Sequence, residues 1–350
     1  MKVIVDDKIP YIKGVIEQMV DEVIYLPGKE ITHKECKDAD ALLIRTRTKC
    51  NQELLAGSRV KFIGTATIGV DHIDINYCKK EGIIVKNAPG CNAESVAQYI
   101  ESVLCLIKTI KKYNYSAITL GIVGLGHVGT AVYYAAKNLG ITSLLCDPFK
   151  LEKEEYIENN PYVSLEEIGE QCNVITFHTP LTYEGRYPTF HMVNNLFLSE
   201  LKQKPILINS SRGEVFDTSS LIKAYEEGVI GSLVLDVWEN EPVINPKLLS
   251  ASWIGTPHIA GYSADGKANA TKMILNSFAN YLNIPFSEEI LPPTPLNNKV
   301  TGKTYEEVIL KIYNPITDSN QLKKNPLDFE SIRGNYPLRR EKSAYFITYL

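Results

Sequence analysis

Several features are scarce or absent in this sequence, and each absence argues against a class of protein. No uninterrupted apolar run approaches the roughly 20 residues that a membrane-spanning helix needs. The seven cysteines are odd in number and include no C-x-x-C pair, so neither a disulfide framework nor a cysteine zinc site is indicated. The 37 Lys and Arg nearly balance the 41 Asp and Glu, and this gives no sign of nucleic-acid binding.

The features that are present describe a globular protein with more than one domain. Hydrophobic residues make up 44% and charged residues 22% of the chain, as in soluble proteins. At 350 residues the chain is too long for one ordinary core, so we expect two or three domains. The N-terminus reaches two acids, Asp6 and Asp7, after only five residues, which argues against a signal peptide. We therefore expect a cytoplasmic protein.

One stretch carries a nucleotide-binding motif. Residues 118–123 have the pattern of a short buried strand, and Gly124, Gly126 and Gly129 follow as G-x-G-x-x-G. The first glycine of this motif permits a tight turn, the second lets the backbone approach a pyrophosphate, and the third lets a helix pack closely. Asp147 follows a second predicted strand, at the position from which a carboxylate binds the adenosine ribose and repels the extra phosphate of NADP. The stretch predicts NAD as cofactor, although Asp147 could also be an ordinary turn residue before Pro148.

Strands alternate with helices through most of the chain, which favours an α/β fold with parallel sheets. We predict two doubly wound parallel-sheet domains, a flavodoxin-like substrate-binding domain and a Rossmann NAD-binding domain, plus a small C-terminal α+β dimerisation domain. The proposed boundaries are 1–92 with 259–286, 93–258, and 287–350, and residues 284–304 form a proline-rich linker. The predicted strands are 3–5, 22–26, 41–45, 61–66 and 83–86, then 118–123, 143–146, 174–177, 205–209, 232–236 and 253–255, with helices at 11–19, 93–111, 219–227 and 264–282.

Three segments that follow predicted strands have the residue types needed for hydride transfer. Arg212 could hold a carboxylate through two parallel hydrogen bonds. His258 could remove the hydroxyl proton of a secondary alcohol, because an imidazole titrates near neutral pH. Glu241 could orient that imidazole and favour its charged form. Together Arg212, Glu241 and His258 make a complete catalytic set.

Simpler interpretations of these residues remain open. Arg212 could lie on a surface turn, the acidic loop could be merely solvated, and His258 could be a core histidine. His178 and His127 compete for the role of base, but neither has an Arg-Gly pair and an acidic partner in its pattern. His72, between Asp71 and Asp74, resembles a metal cluster but is more typical of the start of a helix, so no metal site is predicted.

The order of these motifs resembles the D-isomer-specific 2-hydroxyacid dehydrogenases. The order runs from the glycine loop and Asp147 through His178-Thr-Pro-Leu, Asn209-x-x-Arg-Gly and Asp236-x-x-Glu-x-Glu-Pro to Pro257-His258. The resemblance extends over essentially the whole chain. It implies the NAD-dependent oxidation of a phosphorylated 2-hydroxy acid, 4-phosphoerythronate, in the synthesis of pyridoxal phosphate.

The resemblance also implies roles for individual residues. Arg212, Glu241 and His258 would be catalytic, with His258 as the proton donor or acceptor. Thr46, Thr67 and Tyr262 would contact the substrate. The expected NAD contacts are Gly124, Gly126, His127, Val128, Gly129, Asp147, Thr179, Ser210, Ser211, Arg212, Asp236 and Gly261.

A phosphate site is suggested near the third strand. Arg45 and Arg47 alternate along what looks like an extended run, so both would project from one face, with Lys49 just beyond. By spacing alone this could be a basic solvated edge, and the resemblance favours a phosphate. Two rival functions remain, namely another dehydrogenase of the family, such as a phosphoglycerate enzyme, and a non-enzymatic NAD-sensing protein of the same fold.

The C-terminal tail predicts a homodimer. It carries apolar side chains at 308–310, 312–313, 345–347 and 349, too many to leave exposed in a chain that the linker separates from the catalytic body. Two copies of so short a segment could bury them together. The competing interpretation is that the tail packs on its own nucleotide domain.

Overall fold

The computed structural model describes residues 1–350. None of its helices combines the length and apolar character that crossing a bilayer requires. The strands are β1 Lys2–Asp6, β2 Glu22–Leu26, β3 Ala41–Ile44, β4 Phe62–Thr65, β5 Ile84–Lys86, β6 Thr119–Val123, β7 Thr142–Cys146, β8 Tyr156–Ile157, β9 Asn160–Pro161, β10 Val174–Phe177, β11 Ile206–Asn209, β12 Ser232–Leu235, β13 Ile254–Gly255, β14 Lys299–Gly302 and β15 Phe346–Tyr349. The helices are α1 His33–Cys36, α2 Gln52–Leu55, α3 Ile75–Lys80, α4 Ala93–Thr109, α5 His127–Asn138, α6 Pro148–Leu151, α7 Leu165–Gln171, α8 Asn195–Glu200, α9 Thr218–Glu226, α10 Pro246–Ala251, α11 Ala264–Leu282, α12 Tyr305–Ile312, α13 Pro315–Lys324 and α14 Phe329–Gly334.

The chain divides into two compact units. One comprises residues 1–92 and 263–294, and the other comprises residues 93–262 and 295–350. These limits differ from the predicted boundaries in two respects. Residues 259–262 belong with the nucleotide domain, and residues 295–350 join that domain rather than forming a separate third body.

The first unit is built on a five-stranded parallel sheet in the order β2-β1-β3-β4-β5. This is the flavodoxin-like order, so the predicted architecture is confirmed. Strands β3 and β4 are buried along their full length, as expected where helices cover both faces of a parallel sheet. Helix α11 packs on β4, where Phe278 contacts Phe62 with ring centroids 5.2 Å apart.

The predicted helix at 11–19 is wrong. Only a single 3-10 turn forms there, at Ile16–Gln18. Tyr11 has a φ of 61° and Gly14 a φ of 86°, and a right-handed helix cannot contain either conformation. The resulting turns direct Ile9 and Ile12 into the core, where both are buried.

The second unit contains a six-stranded parallel sheet in the order β7-β6-β10-β11-β12-β13. All six predicted strands are present, with ends within a residue of those expected. A parallel bridge from Tyr162 to Leu145 adds a rudimentary strand outside β7. The doubly wound Rossmann arrangement is therefore confirmed, and the carboxyl ends of its strands lie at one edge, where ligands bind in such sheets.

Helix α4 forms the centre of the second unit. Its apolar residues pack against α5, while Ser95, Gln98, Glu101 and Ser102 are buried polar residues on the same helix. The C-terminal tail meets this helix through α12 and α13, and β14 pairs with β15 in a small parallel sheet. As a result, Val308, Ile309 and Tyr313 are buried within the unit, as the competing interpretation of the tail expected.

Candidate active site

The glycine loop adopts the geometry that its motif predicts. Gly124 has a φ of 91°, a conformation that favours glycine, in the turn after β6. A Cβ atom on Gly129 would lie 2.0 Å from the Gly124 carbonyl oxygen, so only glycine allows α5 to approach the strand this closely. A Cβ atom on Gly126, in contrast, would meet nothing within 4 Å. The loop is therefore closely packed between Gly124 and Gly129, and it leaves open space beside Gly126.

The surroundings of the loop fit a dinucleotide. Helix α5 begins at His127, and the first N–H groups of a helix attract phosphate because they lack partners within the helix. Asp147 lies at the end of β7, and its Oδ2 accepts a hydrogen bond of 3.2 Å from the Leu125 N–H. The Thr179 hydroxyl, beside Gly124, has no hydrogen-bond partner in the protein. An open loop, a helix N-terminus, the carboxylate of Asp147 and an unpartnered hydroxyl thus converge on one edge of the sheet.

His258 and Glu241 form a hydrogen-bonded pair. The Nδ1 atom of His258 lies 2.8 Å from Oε2 of Glu241, and Oε1 of Glu241 accepts a 3.0 Å hydrogen bond from the Trp238 N–H. Burial alone would raise the pKa of Glu241. The hydrogen bond and charge of His258, the Trp238 N–H and the charge of Arg333 outweigh burial, so the pKa lies below its usual value. The carboxylate is therefore ionised at neutral pH and can only accept hydrogen bonds.

Asp236 holds the turn that carries His258. This acid is 1% exposed, and its carboxylate accepts hydrogen bonds from the Thr256 hydroxyl at 2.6 Å and from the N–H groups of Ile259 and Ala260 at 2.8 and 2.9 Å. The His258 N–H donates to the Asp236 carbonyl oxygen at 2.7 Å. His258 itself has a φ of 57°, which is uncommon for a residue with a side chain and occurs mostly where neighbouring contacts enforce it.

Arg212 is positioned by the tight packing of two loops. A Cβ atom on the next residue, Gly213, would lie 2.0 Å from the backbone carbon of Trp238, so the backbones of the loops after β11 and β12 touch. Asn209 braces the turn by donating to the Arg212 carbonyl oxygen and accepting from the Ser211 N–H. The Arg212 guanidinium donates to the Ser211 carbonyl oxygen at 2.8 Å. The second unit therefore brings the loop of Arg212 against the loop of Glu241, which holds His258.

The competing histidines have other environments. Burial lowers the pKa of His178 to about 3, so its ring stays neutral, and its nitrogens face the hydroxyls of Thr176 and Ser210. His127 is exposed on the first turn of α5 and has no carboxylate partner. His191 forms a second histidine–glutamate pair, 2.6 Å from Glu239, which no motif of the sequence predicts. Its ring stacks on Phe190, and Glu239 also accepts from the Thr218 N–H, so this pair braces a loop.

The turn after His258 meets the C-terminal tail. Gly261 and Tyr262 complete the turn, and the Tyr262 N–H donates to the Ile259 carbonyl oxygen at 2.8 Å. The Arg333 guanidinium lies over the Tyr262 ring at 5.4 Å, and Tyr336 meets the same ring edge-on. No local pattern predicts a role for Arg333, because the turn that it contacts lies about seventy residues earlier in the chain.

The remaining predicted substrate residues lie in the first unit, at the carboxyl ends of β3 and β4. The expectation of an extended run through Arg45 and Arg47 is wrong, because β3 ends at Ile44 and the Thr48 N–H closes a turn on the Arg45 carbonyl oxygen. That turn forms because the buried Thr48 hydroxyl is held by the Gly28 carbonyl oxygen at 2.9 Å. Thr46 is exposed on this turn.

Two other polar residues follow β4. The Thr67 hydroxyl donates to the Gly69 carbonyl oxygen at 2.8 Å. His72 contacts the Thr65 hydroxyl at 3.1 Å and belongs to a turn, and α3 begins only at Ile75. No group of three His, Cys, Asp or Glu side chains in the structure has the arrangement of a metal site.

Comparisons with known proteins agree with this geometry. Residues 105–260 match the NAD binding domain of the D-isomer specific 2-hydroxyacid dehydrogenases. An erythronate-4-phosphate dehydrogenase of Bacteroides thetaiotaomicron is 53% identical over 347 residues, which cover 99% of each chain. Among solved structures, a D-lactate dehydrogenase of Aquifex aeolicus complexed with NAD and lactic acid has a TM-score of 0.67 and 28% identity, over 81% of this chain and 96% of its own.

A second solved structure points the same way. The 3-phosphoglycerate dehydrogenase of Entamoeba histolytica, bound to NAD+, has a TM-score of 0.68 and 26% identity, over 84% of this chain and 99% of its own. The second unit thus contains an NAD-binding domain, as its glycine loop predicts. The chain belongs to the D-isomer specific 2-hydroxyacid dehydrogenases and, within them, to the erythronate-4-phosphate dehydrogenases.

Proposed function

We propose that this protein oxidises 4-phospho-D-erythronate to 3-hydroxy-2-oxo-4-phosphooxybutanoate with NAD, a step in pyridoxal 5'-phosphate synthesis. The observation that carries the proposal is the His258–Glu241 pair, held against the Arg212 loop in a chain 53% identical to a named erythronate-4-phosphate dehydrogenase. A carboxylate–imidazole pair beside a guanidinium provides what the oxidation of a 2-hydroxy acid needs from side chains.

His258 is the general base of the proposed reaction. Because the ionised Glu241 can only accept, the hydrogen between the two residues belongs to Nδ1, and Nε2 of the neutral ring has a free lone pair. Nε2 takes the proton of the substrate's C2 hydroxyl as the carbon–oxygen double bond forms. Glu241 then stabilises the imidazolium. NAD, when bound, supplies the acceptor for the hydride that leaves C2.

The cofactor would be held by the residues around the glycine loop. Helix α5 and the open face at Gly126 suit the pyrophosphate, and Asp147 suits the ribose. Asp236 acts in part through the turn that it holds, since its carboxylate already accepts three hydrogen bonds. The full proposed set is Gly124, Gly126, His127, Val128, Gly129, Asp147, Thr179, Ser210, Ser211, Arg212, Asp236 and Gly261.

Different residues are assigned to the carboxylate end and to the phosphate end of the substrate. Arg212 holds the carboxylate and polarises the adjacent carbon, since a guanidinium suits a carboxylate bidentately. Tyr262 contacts the substrate from the turn after His258. The phosphate is assigned to Arg45, Thr46 and Arg47, with Thr67 nearby in the fold of the first unit. These four residues follow β3 and β4 at their carboxyl ends, where ligands bind in parallel sheets.

A substrate comparison tests the proposal. Formation of NADH is followed by absorbance with 4-phosphoerythronate, 3-phosphoglycerate and D-lactate as separate substrates. We expect the highest kcat/KM with 4-phosphoerythronate. A preference for 3-phosphoglycerate would identify a different enzyme of the family. Binding of NAD without turnover of any of the three acids would favour an NAD-sensing protein.

We also propose that the enzyme is a cytoplasmic homodimer formed through the C-terminal tail. Phe346, Tyr349 and Leu350 are each more than half exposed on or next to β15. The sheet of β14 and β15 has only two strands and packs against α12 through β14, so the exposed side chains of β15 carry the proposal. All seven cysteines are free and buried, as is usual in a reducing compartment.

Light scattering tests the dimer. The intact chain is compared with Phe346→Ser/Tyr349→Ser, which removes exposed apolar surface without touching the buried residues of α12. We expect a dimer for the intact chain and a weaker one for the double variant. An intact chain that is monomeric at micromolar concentration would refute the dimer.

A further inference from the structure

Arg339, in the C-terminal tail, reaches the turn that carries His258. Its side chain is buried, with 6% of the residue exposed. One guanidinium nitrogen, Nη2, donates a hydrogen bond to the Ala260 carbonyl oxygen and a longer one of 3.4 Å to the Ser95 carbonyl oxygen of α4. The guanidinium also lies 4.3 Å from the centre of the Tyr313 ring. A residue of the tail thus joins the central helix to the turn after His258.

The peptide groups of Ala260 are held from two directions. Its N–H donates to the carboxylate of Asp236 at 2.9 Å, and its carbonyl oxygen accepts from Arg339. Ala260 lies two residues after His258 and two residues before Tyr262. Fixing this point therefore restricts both the imidazole and the tyrosine, on a turn where His258 already has an uncommon backbone conformation.

The surroundings of Arg339 show that its hydrogen bonds all come from the nitrogen that contacts Ala260. The charges of the buried Asp318 and Asp236 both act on it. Asp318 accepts hydrogen bonds from the hydroxyls of Tyr313 and Tyr336 at 3.0 and 2.8 Å. Nε and Nη1 of Arg339, however, have no hydrogen-bond partner, although buried donors are nearly always paired. The charges of the two buried acids thus stabilise the buried guanidinium, and its hydrogen bonds come from Nη2 alone.

The tail follows α4 beyond this contact. Glu341 accepts a hydrogen bond from the Ser95 hydroxyl at 2.7 Å, and Lys342 donates to Glu101 at 2.8 Å. These residues hold the tail to the helix, and neither contact involves the turn after His258. The segment therefore offers two kinds of tail contact that can be separated by mutation.

We propose that Arg339 is a positioning residue, which sets the rate of oxidation by fixing the Ala260 carbonyl and, through it, His258 and Tyr262. The inference rests on the proposed function, because it assumes that His258 is the base. It makes the C-terminal tail a working part of the active site in addition to any role in dimerisation.

Arg339→Met tests the proposal in the full-length protein. Methionine matches the length of the arginine stem, and Asp318 keeps its hydrogen bonds from Tyr313 and Tyr336 in the variant. We expect kcat with 4-phosphoerythronate to fall about 10- to 100-fold, as misplaced catalytic groups do. The number of NAD sites per chain, measured by titration, should stay unchanged. Lys342→Met is the matched control, because it removes a tail-to-α4 contact and leaves Ala260 alone.

The possible results distinguish a positioning role of Arg339 from a role in the stability of the fold alone. A kcat of Arg339→Met equal to that of Lys342→Met would overturn the proposal, as would a fall in rate that only follows a loss of NAD sites. If the methionine variant does not fold, Arg339→Lys decides. Lysine keeps the charge but lacks the planar guanidinium, so kcat should lie between wild type and a severe loss, and a wild-type kcat would overturn the idea. Wild-type turnover of His258→Ala would instead refute His258 as the base, and a wild-type protein that does not turn over 4-phosphoerythronate would refute the proposed function.

Discussion

Replacing Glu241 by Gln tests the mechanism at its most specific point. The substitution keeps the shape of the side chain, and the amide oxygen can still accept from the Trp238 N–H. The amide nitrogen then faces Nδ1 of His258, where Glu241 has an acceptor oxygen at 2.8 Å. An amide N–H must donate to Nδ1, so the hydrogen of the neutral ring moves to Nε2. The nitrogen that should accept the substrate's proton is then already protonated.

The size of the effect follows from two contributions. A hydrogen bond to a charged group contributes about 1.5–3 kcal/mol, which corresponds to about 10- to 150-fold in rate. The wrong tautomer adds to this, and in a serine protease the same exchange of acid for amide lowers kcat by about 10⁴. We expect kcat of Glu241→Gln to fall by about 10²–10⁴. The assay is NADH formation at saturating NAD and 4-phosphoerythronate.

Glu241→Ala is the matched control. Alanine removes the charge but leaves the imidazole free to adopt either tautomer, so it should not be slower than glutamine. A glutamine variant with near-normal kcat, or one clearly faster than the alanine variant, would refute the assignment of the Nδ1 hydrogen.

The same pair makes a prediction about acid stability. The folded-state pKa of Glu241 is lowered, so the ionised carboxylate and its hydrogen bonds stabilise the fold at pH values above the ordinary pKa of about 4.5. This stabilisation is lost as the pH falls through the folded-state pKa. Thermal melting of wild type should therefore fall more steeply below about pH 4.5 than melting of Glu241→Gln. Parallel curves would contradict the lowered pKa.

Four further substitutions test the rest of the site. His258→Ala should lower kcat by about 10²–10⁴ and leave NAD affinity nearly unchanged; an active variant would move the base to His178 or His127. Asp147→Ser should narrow the preference for NAD over NADP, and equal affinity of the wild type for both would mean that Asp147 only caps the glycine loop. Gly213→Ala places a Cβ atom 2.0 Å from the backbone of Trp238 and should lower the free energy of unfolding by about 1–3 kcal/mol, measured by chemical denaturation. The added Cβ atom of Gly126→Ala meets nothing within 4 Å, so this variant should fold normally but bind NAD more weakly.

The sequence predicts this fold well where short-range patterns determine structure. The strand before Gly124 and the spacing to Asp147 follow from residues close together in the chain, and the strand ends lie where expected. The helix at 11–19 is wrong for an equally local reason. The apolar spacing there suits a helix, but Tyr11 and Gly14 adopt left-handed conformations that spacing does not reveal.

The site is predictable in its residue types and less so in its contacts. Arg212, Glu241 and His258 each follow a strand, and parallel strands bring their carboxyl ends to one edge. The contact between Gly213 and Trp238, the hydrogen bonds of Asp236 and the reach of Arg339 to Ala260 depend on tertiary packing. No pattern in one sequence specifies such pairings, because the partners lie far apart along the chain.

The first unit is formed by two separate segments of the chain, and this affects the order in which the protein can fold during synthesis. Its sheet is complete once residues 1–92 have been synthesised, but α11, whose Phe278 packs on Phe62, follows only after the whole of residues 93–262. Domains emerge from the ribosome N-terminus first, and apolar surface that lacks its cover is prone to aggregation. The face of β4 that α11 covers therefore stays open while residues 93–262 are synthesised. The part of this enzyme that is made first thus cannot complete its fold until most of the chain has been synthesised.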